Sequence, residues 1–197
     1  MNHLTPIARL ANRYFAMRHG QSNANVAGII VSRLATDEDG DYGLSELGRQ
    51  QARDAASASG LGSGTLICSS DFARARETAE IVRACLGAPA ITLAAALRER
   101  DFGAWEGTSS ASYAKVWAAD AVDPGHAADS VEPASAVLDR ATALVADLER
   151  RHSGRDILLV SHGDTLQILQ AGFHDIDPAR HRALAHLGTA EIRRLAR

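Results

Sequence analysis

Short apolar runs, separated by longer stretches of helical periodicity, dominate the chain. Residues 14–17, 66–68, 90–93 and 157–160 are apolar runs of the length that forms β-strands. The run at 157–160 is apolar without alternation, which is typical of a strand buried on both faces of a sheet. Residues 190–195 are a candidate for a final strand. The pattern therefore predicts a sheet built from several short strands.

Helical periodicity fills the segments between these runs. Apolar residues fall at i, i+3, i+4 and i+7 over 78–85, and the same period continues for four turns over 134–148. Ser45 is placed to cap a helix over 46–59, and residues 164–171 have the pattern of a further helix. Strands that alternate with helices indicate an α/β fold, here a three-layer sandwich with a mostly parallel sheet. A length of 197 residues fits a single domain.

Polar residues directly follow three of the predicted strands. Residues 18–20 read Arg-His-Gly, residues 69–70 are both serine, and residues 161–163 read Ser-His-Gly. Because parallel strands end at the same edge of a sheet, these groups are expected to meet in one ligand site.

Two stretches lack a helix or strand pattern. Residues 108–133 are the least patterned part of the chain, and we expect them to form an excursion over the active site. Residues 37–41 are acidic but lack the spacing and distal glutamate of a calcium loop, so a solvated surface turn is expected there.

Composition and charge exclude several functional classes. A net charge of −3 does not indicate the basic surface that nucleic-acid binding requires. No apolar run is long enough to cross a membrane. Residues 1–13 lack the apolar region of a secretory signal, and the two cysteines form no disulfide framework, so we expect a cytoplasmic protein. The single lysine, Lys115, has no supporting motif. No HxxxH or HExxH pair is present, and we expect neither a metal nor a cofactor.

The eight histidines fall into two groups. Six have no chemical context from which a role can be argued: His3, His126, His152, His174, His181 and His186. His19 and His162 differ, because each follows a predicted strand and precedes a glycine, which allows a tight turn and close backbone approach.

Five motifs that include these two histidines occur in a characteristic order. They are Arg18-His19-Gly20-Gln21-Ser22 with Asn25, then 43–52 (GLSELGRQQA), 69–79 (SSDFARARETA), 97–107 (LRERDFGAWEG) and 160–163 (VSHG). The ordered set resembles the histidine phosphatase superfamily, the phosphoglycerate-mutase-like group, although Asp71 stands where proline is usual and Glu77 where glutamine is usual. The resemblance spans most of the chain.

The resemblance implies a phosphohistidine mechanism, and the residue chemistry agrees with it. His19 is the expected nucleophile, with planar guanidinium forks from Arg18 and Arg74 around the phosphoryl group and a donor from His162. Glu99 is the expected general acid for the leaving alkoxide. The expected substrate-binding residues are Gln21, Ser22, Asn25 and Gly163. Arg76 is expected on the surface, and Glu106 is expected to have a structural role in a turn.

Three activities fit this family resemblance. Between Asp101 and Glu132 the chain carries one lysine and six acidic residues, so the formal charge is +1 − 6 = −5. Phosphoglycerate mutases of the family carry extra cations here, and they usually have a tyrosine at the position of Phe102. We therefore expect a hydrolase that acts on small phosphate monoesters with a neutral or weakly anionic leaving portion. A phosphomutase and a regulatory or binding protein with little turnover are the alternatives, and the sequence says nothing about oligomeric state.

Overall fold

The computed structural model describes residues 1–39 and 41–196, and a five-stranded sheet forms its centre. The strands are β1 (Arg13–Arg18), β2 (Leu66–Ser69), β3 (Thr92–Leu93), β4 (Asp156–Ser161) and β5 (Ile192–Leu195). Their order is β3-β2-β4-β1-β5, and all neighbours are parallel except β5, which is antiparallel to β1. The five predicted strands are confirmed, although the third is only two residues long.

The sheet aligns the carboxyl ends of its three inner strands. Arg18 of β1 pairs with Ser161 of β4, and Ser69 of β2 pairs with Val160. The backbone continues this alignment past the strands, because the His19 amide donates to the Ser161 carbonyl at 3.0 Å. The residues that follow β1, β2 and β4 therefore lie side by side.

Helices cover both faces of the sheet. They are α1 (Asn23–Ala27), α2 (Leu34–Asp39), α3 (Glu46–Ala58), α4 (Ala73–Leu86), α5 (Tyr113–Asp120), α6 (Ala134–Arg151) and α7 (Gly163–Phe173). The predicted cap is present, since the Ser45 hydroxyl accepts from the Gly48 amide at 3.1 Å. In the described part of the chain, no helix is long and apolar enough to cross a membrane.

Alternation along β1 divides the core into two layers. Tyr14 and Ala16 pack with residues of α6 and α7, whereas Met17 and Phe15 pack with residues of α3 and α4 on the opposite face. The arrangement confirms the three-layer α/β sandwich with a mostly parallel sheet.

The expectation of a solvated turn at 37–41 is wrong for Asp37. This residue belongs to α2 and is buried, with its Oδ2 accepting from the Ala73 amide at 2.7 Å and its Oδ1 accepting from Arg74 Nη1 at 3.2 Å. A buried carboxylate is tolerated here because it has a cation and a helix N-terminus as partners. Gly40 lies outside the described residues.

Candidate active site

Two histidines meet where β1 and β4 end. The ring centroids of His19 and His162 are 5.2 Å apart, and both side chains are buried. Arg18 reaches the same place from the end of β1, and Arg74 from the first turn of α4. We refer to Arg18, His19, Arg74 and His162 as the histidine cluster.

Hydrogen bonds fix the protonation pattern of His19. Its Nδ1 lies 2.7 Å from the Gly20 carbonyl, which only accepts, so this nitrogen carries the hydrogen. Its Nε2 accepts from Arg74 Nε at 3.2 Å and therefore presents a lone pair to the cluster. Burial, Arg74 and Arg18 hold the pKa of His19 well below its usual value, so the ring is neutral at physiological pH.

Arg74 is bound on every side by the protein. Its Nε donates to His19, its Nη1 to Asp37, and its Nη2 to the Val31 carbonyl at 2.8 Å. The guanidinium also lies 4.9 Å from the ring centroid of Phe72. With an exposure of 4%, Arg74 is part of the core as well as part of the cluster.

The described residues hold the Arg18 guanidinium at one corner, Nη1. Its Nη1 lies 2.8 Å from His186 Nε2 and 3.2 Å from the Leu187 carbonyl. Its Nε is buried and has no hydrogen-bond partner among the described residues. An unpaired buried donor is costly, so this edge of the guanidinium is suited to an incoming anion.

His162 occupies the N-cap of α7, where the helix dipole favours negative charge. Its Nε2 lies 2.9 Å from the Ser70 hydroxyl, while its Nδ1 is buried without a partner in the described part of the molecule. Burial, followed by Arg74 and the neighbouring His19, lowers the pKa of His162. The imidazole is therefore a neutral group that has one ring nitrogen available.

One carboxylate oxygen of Glu99 is held by hydrogen bonds from the protein. Its Oε1 accepts from the Arg100 amide at 3.0 Å, from the Thr165 amide at 3.2 Å and from the Thr165 hydroxyl at 3.1 Å. Burial and the Asp164 carboxylate raise the pKa of Glu99, although Arg74 opposes the shift. The surroundings of Glu99 therefore favour its protonated form more than water does.

Glu99 also lines a cleft of about 360 Å³. Phe72 lines the same cleft and packs edge-on against His162 with centroids 5.1 Å apart, so the cleft adjoins the histidine cluster. We name this space the Glu99 cleft.

Charges around the Glu99 cleft are paired. Arg33 binds Asp101 at 3.2 Å, Arg140 binds Glu132 at 2.8 Å, and Arg98 binds Asp71 at 2.5 Å. Deeper in the protein, Arg100 binds both oxygens of Asp120 at 2.6 and 2.7 Å. Three of the six acidic residues between Asp101 and Glu132 thus pair with arginines outside that segment, which reduces the repulsion that the sequence suggested.

The predicted substrate-binding residues near β1 have structural partners. Ser22 and Asn25 form a capping box at the start of α1, in which the Ser22 hydroxyl accepts from the Asn25 amide at 3.2 Å and Asn25 Oδ1 accepts from the Ser22 amide at 3.0 Å. Gln21 Oε1 accepts from the Ser45 hydroxyl at 2.8 Å. A contact of these side chains with substrate stays a prediction.

Gly163 lies directly beside the cluster. A Cβ at this position would meet His186 Cε1 at 3.1 Å and Arg18 Cζ at 3.5 Å. The missing side chain lets the amino end of α7 approach the Arg18 guanidinium. A role of Gly163 in substrate binding stays a prediction.

Two residues inside the motifs lie where we expected. Arg76 is exposed on α4. Glu106 has a structural role, since its carboxylate accepts from the Ser32 amide at 2.9 Å and from the Arg33 amide at 3.2 Å.

Sequence reasoning missed Asp37, His186 and Thr165. Asp37 and His186 each bind a cluster arginine, and Thr165 anchors Glu99. No motif or periodicity marks the first two. Thr165 directly follows the Ser-His-Gly-Asp turn, and its position near the amino end of a helix was the one available signal.

Comparison with known proteins now decides the family. Residues 14–197 match the histidine phosphatase superfamily (branch 1). The chain belongs to this superfamily. It is a phosphoric monoester hydrolase. Within residues 1–39 and 41–196, no group of three or more His, Cys, Asp or Glu side chains is arranged to hold a metal ion.

Mycobacterial phosphatases are among the similar proteins. The glucosyl-3-phosphoglycerate phosphatase of Mycobacterium tuberculosis is 32% identical over 201 residues, which cover 94% of this chain and 86% of the relative. The enzyme of that name from Mycolicibacterium vanbaalenii is 31% identical over 198 residues, with 93% and 84% covered. A mycobacterial glucosyl-3-phosphoglycerate phosphatase solved with VO3 superimposes with a TM-score of 0.79 at 32% identity, covering 92% of this chain and 91% of that one.

Proposed function

We propose that this phosphatase works through a phosphohistidine at His19 and needs no metal ion. The observation that carries the proposal is the hydrogen bonding of His19, whose Nδ1–H is held by the Gly20 carbonyl at 2.7 Å while the unprotonated Nε2 accepts from Arg74 Nε at 3.2 Å. A neutral imidazole in this tautomer is already a nucleophile at neutral pH. Positive charge from Arg18 and Arg74 acts on the ring.

Phosphoryl transfer occurs in two steps. In the first, His19 Nε2 exchanges its hydrogen bond from Arg74 Nε for a bond to phosphorus, the ester P–O bond breaks, and the leaving oxygen takes the proton of Glu99. In the second, the Glu99 carboxylate removes a proton from water while the water oxygen bonds to phosphorus and the P–N bond breaks. The products are an alcohol, inorganic phosphate and neutral His19.

Free donors of the cluster bind the phosphoryl oxygens. Arg18 Nε is unpaired and buried, and it forms a charge-assisted hydrogen bond when an oxygen arrives. When the Ser70 hydroxyl donates to His162 Nε2, the Nδ1–H of His162 is left for a second oxygen. Both donors stabilise the charge that the transferring group carries in the transition state.

The Glu99 cleft accommodates the leaving portion of the substrate. Because its arginines are paired with carboxylates, it suits an alcohol rich in hydroxyl groups that is neutral or carries one negative charge. The relatives are named for glucosyl-3-phosphoglycerate, whose leaving portion contains a sugar and a single carboxylate. We propose phosphate esters of this chemical class as substrates, with residues 108–133 as an excursion over the site.

A rapid-quench experiment tests the mechanism. During turnover of a 32P-labelled substrate, an acid-labile and base-stable phosphate should accumulate on His19. The His19→Asn variant should trap none and lose turnover by several orders of magnitude, whereas His174→Asn, at an exposed position outside the cluster, should behave like the parent.

Label on a serine, or activity retained by His19→Asn, would contradict the phosphohistidine. Phosphoryl transfer between phosphoglycerates that is faster than phosphate release would instead establish the mutase alternative.

A further inference from the structure

His186 lies outside the five sequence motifs, but its side chain contacts Arg18 of the histidine cluster. It lies in the loop before β5, and the residue is exposed. We propose that His186 is a positioning residue for Arg18: its imidazole holds Nη1 so that the Nε edge of the guanidinium faces the phosphoryl group. The proposal rests on the proposed function, in which Arg18 binds phosphoryl oxygens.

Donor and acceptor roles at this contact are unambiguous. A guanidinium only donates, so His186 Nε2, at 2.8 Å from Arg18 Nη1, must be the acceptor. The imidazole is therefore neutral, with its hydrogen on Nδ1. The Leu187 carbonyl at 3.2 Å is a second acceptor for the same Nη1.

Fixing one corner of a planar group fixes its opposite edge. The guanidinium is rigid, so the bonds at Nη1 orient Nε as well. That Nε is buried and has no partner in the described residues, which is the state expected of a donor kept for a ligand.

The loop that carries His186 is itself fastened. Arg193 donates to the Ala185 carbonyl at 2.6 Å and to the His186 carbonyl at 3.0 Å, and Gln167 donates to the Leu184 carbonyl at 2.6 Å. The imidazole also packs against Gly163, where a Cβ would lie 3.1 Å from His186 Cε1. The acceptor is thus held in place before substrate arrives, which lowers the entropic cost of binding.

Surrounding charges favour the accepting form of the ring. Partial desolvation of the ring lowers the pKa of His186 although the residue as a whole is exposed, and Arg18 and Arg182 lower it further, whereas Asp164 and Glu191 oppose the shift. At neutral pH the imidazole therefore remains an acceptor for Arg18.

Equilibrium binding of inorganic phosphate tests the proposal independently of turnover. Its dissociation constant is measured at pH 7.5 by calorimetry for the wild type, His186→Ala, His186→Gln and the control His174→Ala. We expect His186→Ala to weaken phosphate binding about tenfold, and His186→Gln, whose amide oxygen restores an acceptor, to recover to within about threefold. The control should match the wild type.

Steady-state kinetics with p-nitrophenyl phosphate gives a second readout. Because Arg18 binds the phosphoryl group in both the ground and the transition state, His186→Ala should raise KM about tenfold and change kcat by less than about threefold. A merely structural loss would instead lower kcat through the fraction of folded enzyme.

Unchanged phosphate binding in His186→Ala, or equally weak binding in His186→Gln, would overturn the role of His186. Normal phosphate binding without a trapped phosphohistidine would overturn the proposed function and leave this role intact. No phosphate binding by the wild type would overturn the role of His186, because the Arg18 edge would then bind no phosphate.

Discussion

Arg74 and Arg18 both act electrostatically on His19, yet the protein holds them in opposite ways. Arg74 is buried, and each of its three nitrogens donates to a protein group. Arg18 is half-buried, is held at Nη1 by an exposed histidine and a carbonyl, and keeps a buried Nε unpaired. We call Arg74 with Asp37 and Val31 the Arg74 side, and Arg18 with His186 and Leu187 the Arg18 side.

Arg74 and Arg18 have the same side chain but differ in burial, and we expect this difference to give them different roles. The Arg74 side is an ion pair inside the core, which orients His19 and keeps it neutral. The Arg18 side presents a donor edge without a partner among the described residues, and we propose that it binds the phosphoryl group. Substitutions on the Arg74 side should therefore reduce stability, and those on the Arg18 side should reduce phosphate affinity.

The largest effect is expected at Glu99, whose pKa is raised by burial and by Asp164 and is lowered by Arg74. Glu99→Gln should slow phosphorylation of His19 by an alkyl phosphate about 100- to 10,000-fold, because the alkoxide then leaves without a proton. p-Nitrophenyl phosphate should be slowed much less, since its leaving group needs little protonation. Single-turnover kinetics measures this step, and an equal loss for both substrates would indicate that Glu99 only positions other groups.

Asp37→Ala tests whether the Arg74 side is part of the core. It leaves a buried guanidinium without its carboxylate, so the free energy of unfolding should fall by about 3–5 kcal/mol. Urea denaturation measures the change, with Asp37→Asn as an isosteric variant. The matched substitution on the other side, His186→Ala, should change stability by less than about 0.5 kcal/mol. Equal stability of Asp37→Ala and the wild type would refute the distinction.

Lysine substitutions compare the two arginines directly. Arg18→Lys keeps the charge but loses the planar fork, so phosphate affinity should fall about tenfold while stability hardly changes. Arg74→Lys should reduce stability as well, because lysine cannot donate to His19, Asp37 and the Val31 carbonyl together. Calorimetric phosphate binding and urea denaturation of both variants check the contrast. If Arg18→Lys proved the less stable variant, the comparison would be reversed.

Stability should also depend on pH through the two cluster histidines. The folded pKa values of His19 and His162 lie below the unfolded value near 6.5. Below about pH 6.5 the unfolded chain therefore binds more protons than the folded protein does. The free energy of unfolding is thus highest above that pH and decreases as the pH falls. The slope reaches about 1.4 kcal/mol per pH unit for each histidine. The free energy of unfolding, measured by denaturation at several pH values, should depend on pH less steeply in His19→Asn than in the wild type, by the contribution of one proton. The same dependence in both proteins would contradict a neutral buried His19.

The smallest expected effect is that of chelation. If the arginines and histidines supply all the positive charge, excess EDTA should leave phosphatase activity unchanged. Loss of activity that added zinc or magnesium restores would show that the cluster is incomplete without a metal ion.

Local sequence was sufficient to predict the residues at the strand ends. Arg18-His19-Gly20 and Ser161-His162-Gly163 directly follow apolar runs, and neighbouring parallel strands have to bring their carboxyl ends to one edge. The helices over 46–58 and 134–151 were equally readable, because their apolar period and the Ser45 cap are local features. The ordered motifs then identified the family.

Asp37 and His186 could not be assigned in this way. Asp37 contacts Arg74 across 37 residues of sequence, and His186 contacts Arg18 across 168. In the sequence Asp37 is one of several consecutive acidic residues, and His186 is one of six histidines without a motif. Their roles arise from distances that the packing of α2 and of the loop before β5 creates.

The charge of residues 101–132 shows the same limit. A formal count of −5 is a property of the segment, whereas electrostatic repulsion depends on which cations lie within a few ångströms. Three arginines from outside residues 101–132 bind acidic residues of this segment. The pairs are Arg33 with Asp101, Arg100 with Asp120, and Arg140 with Glu132. Sequence fixes which charges the chain carries, but a Coulomb interaction depends on distance and burial, which exist only once the chain has folded.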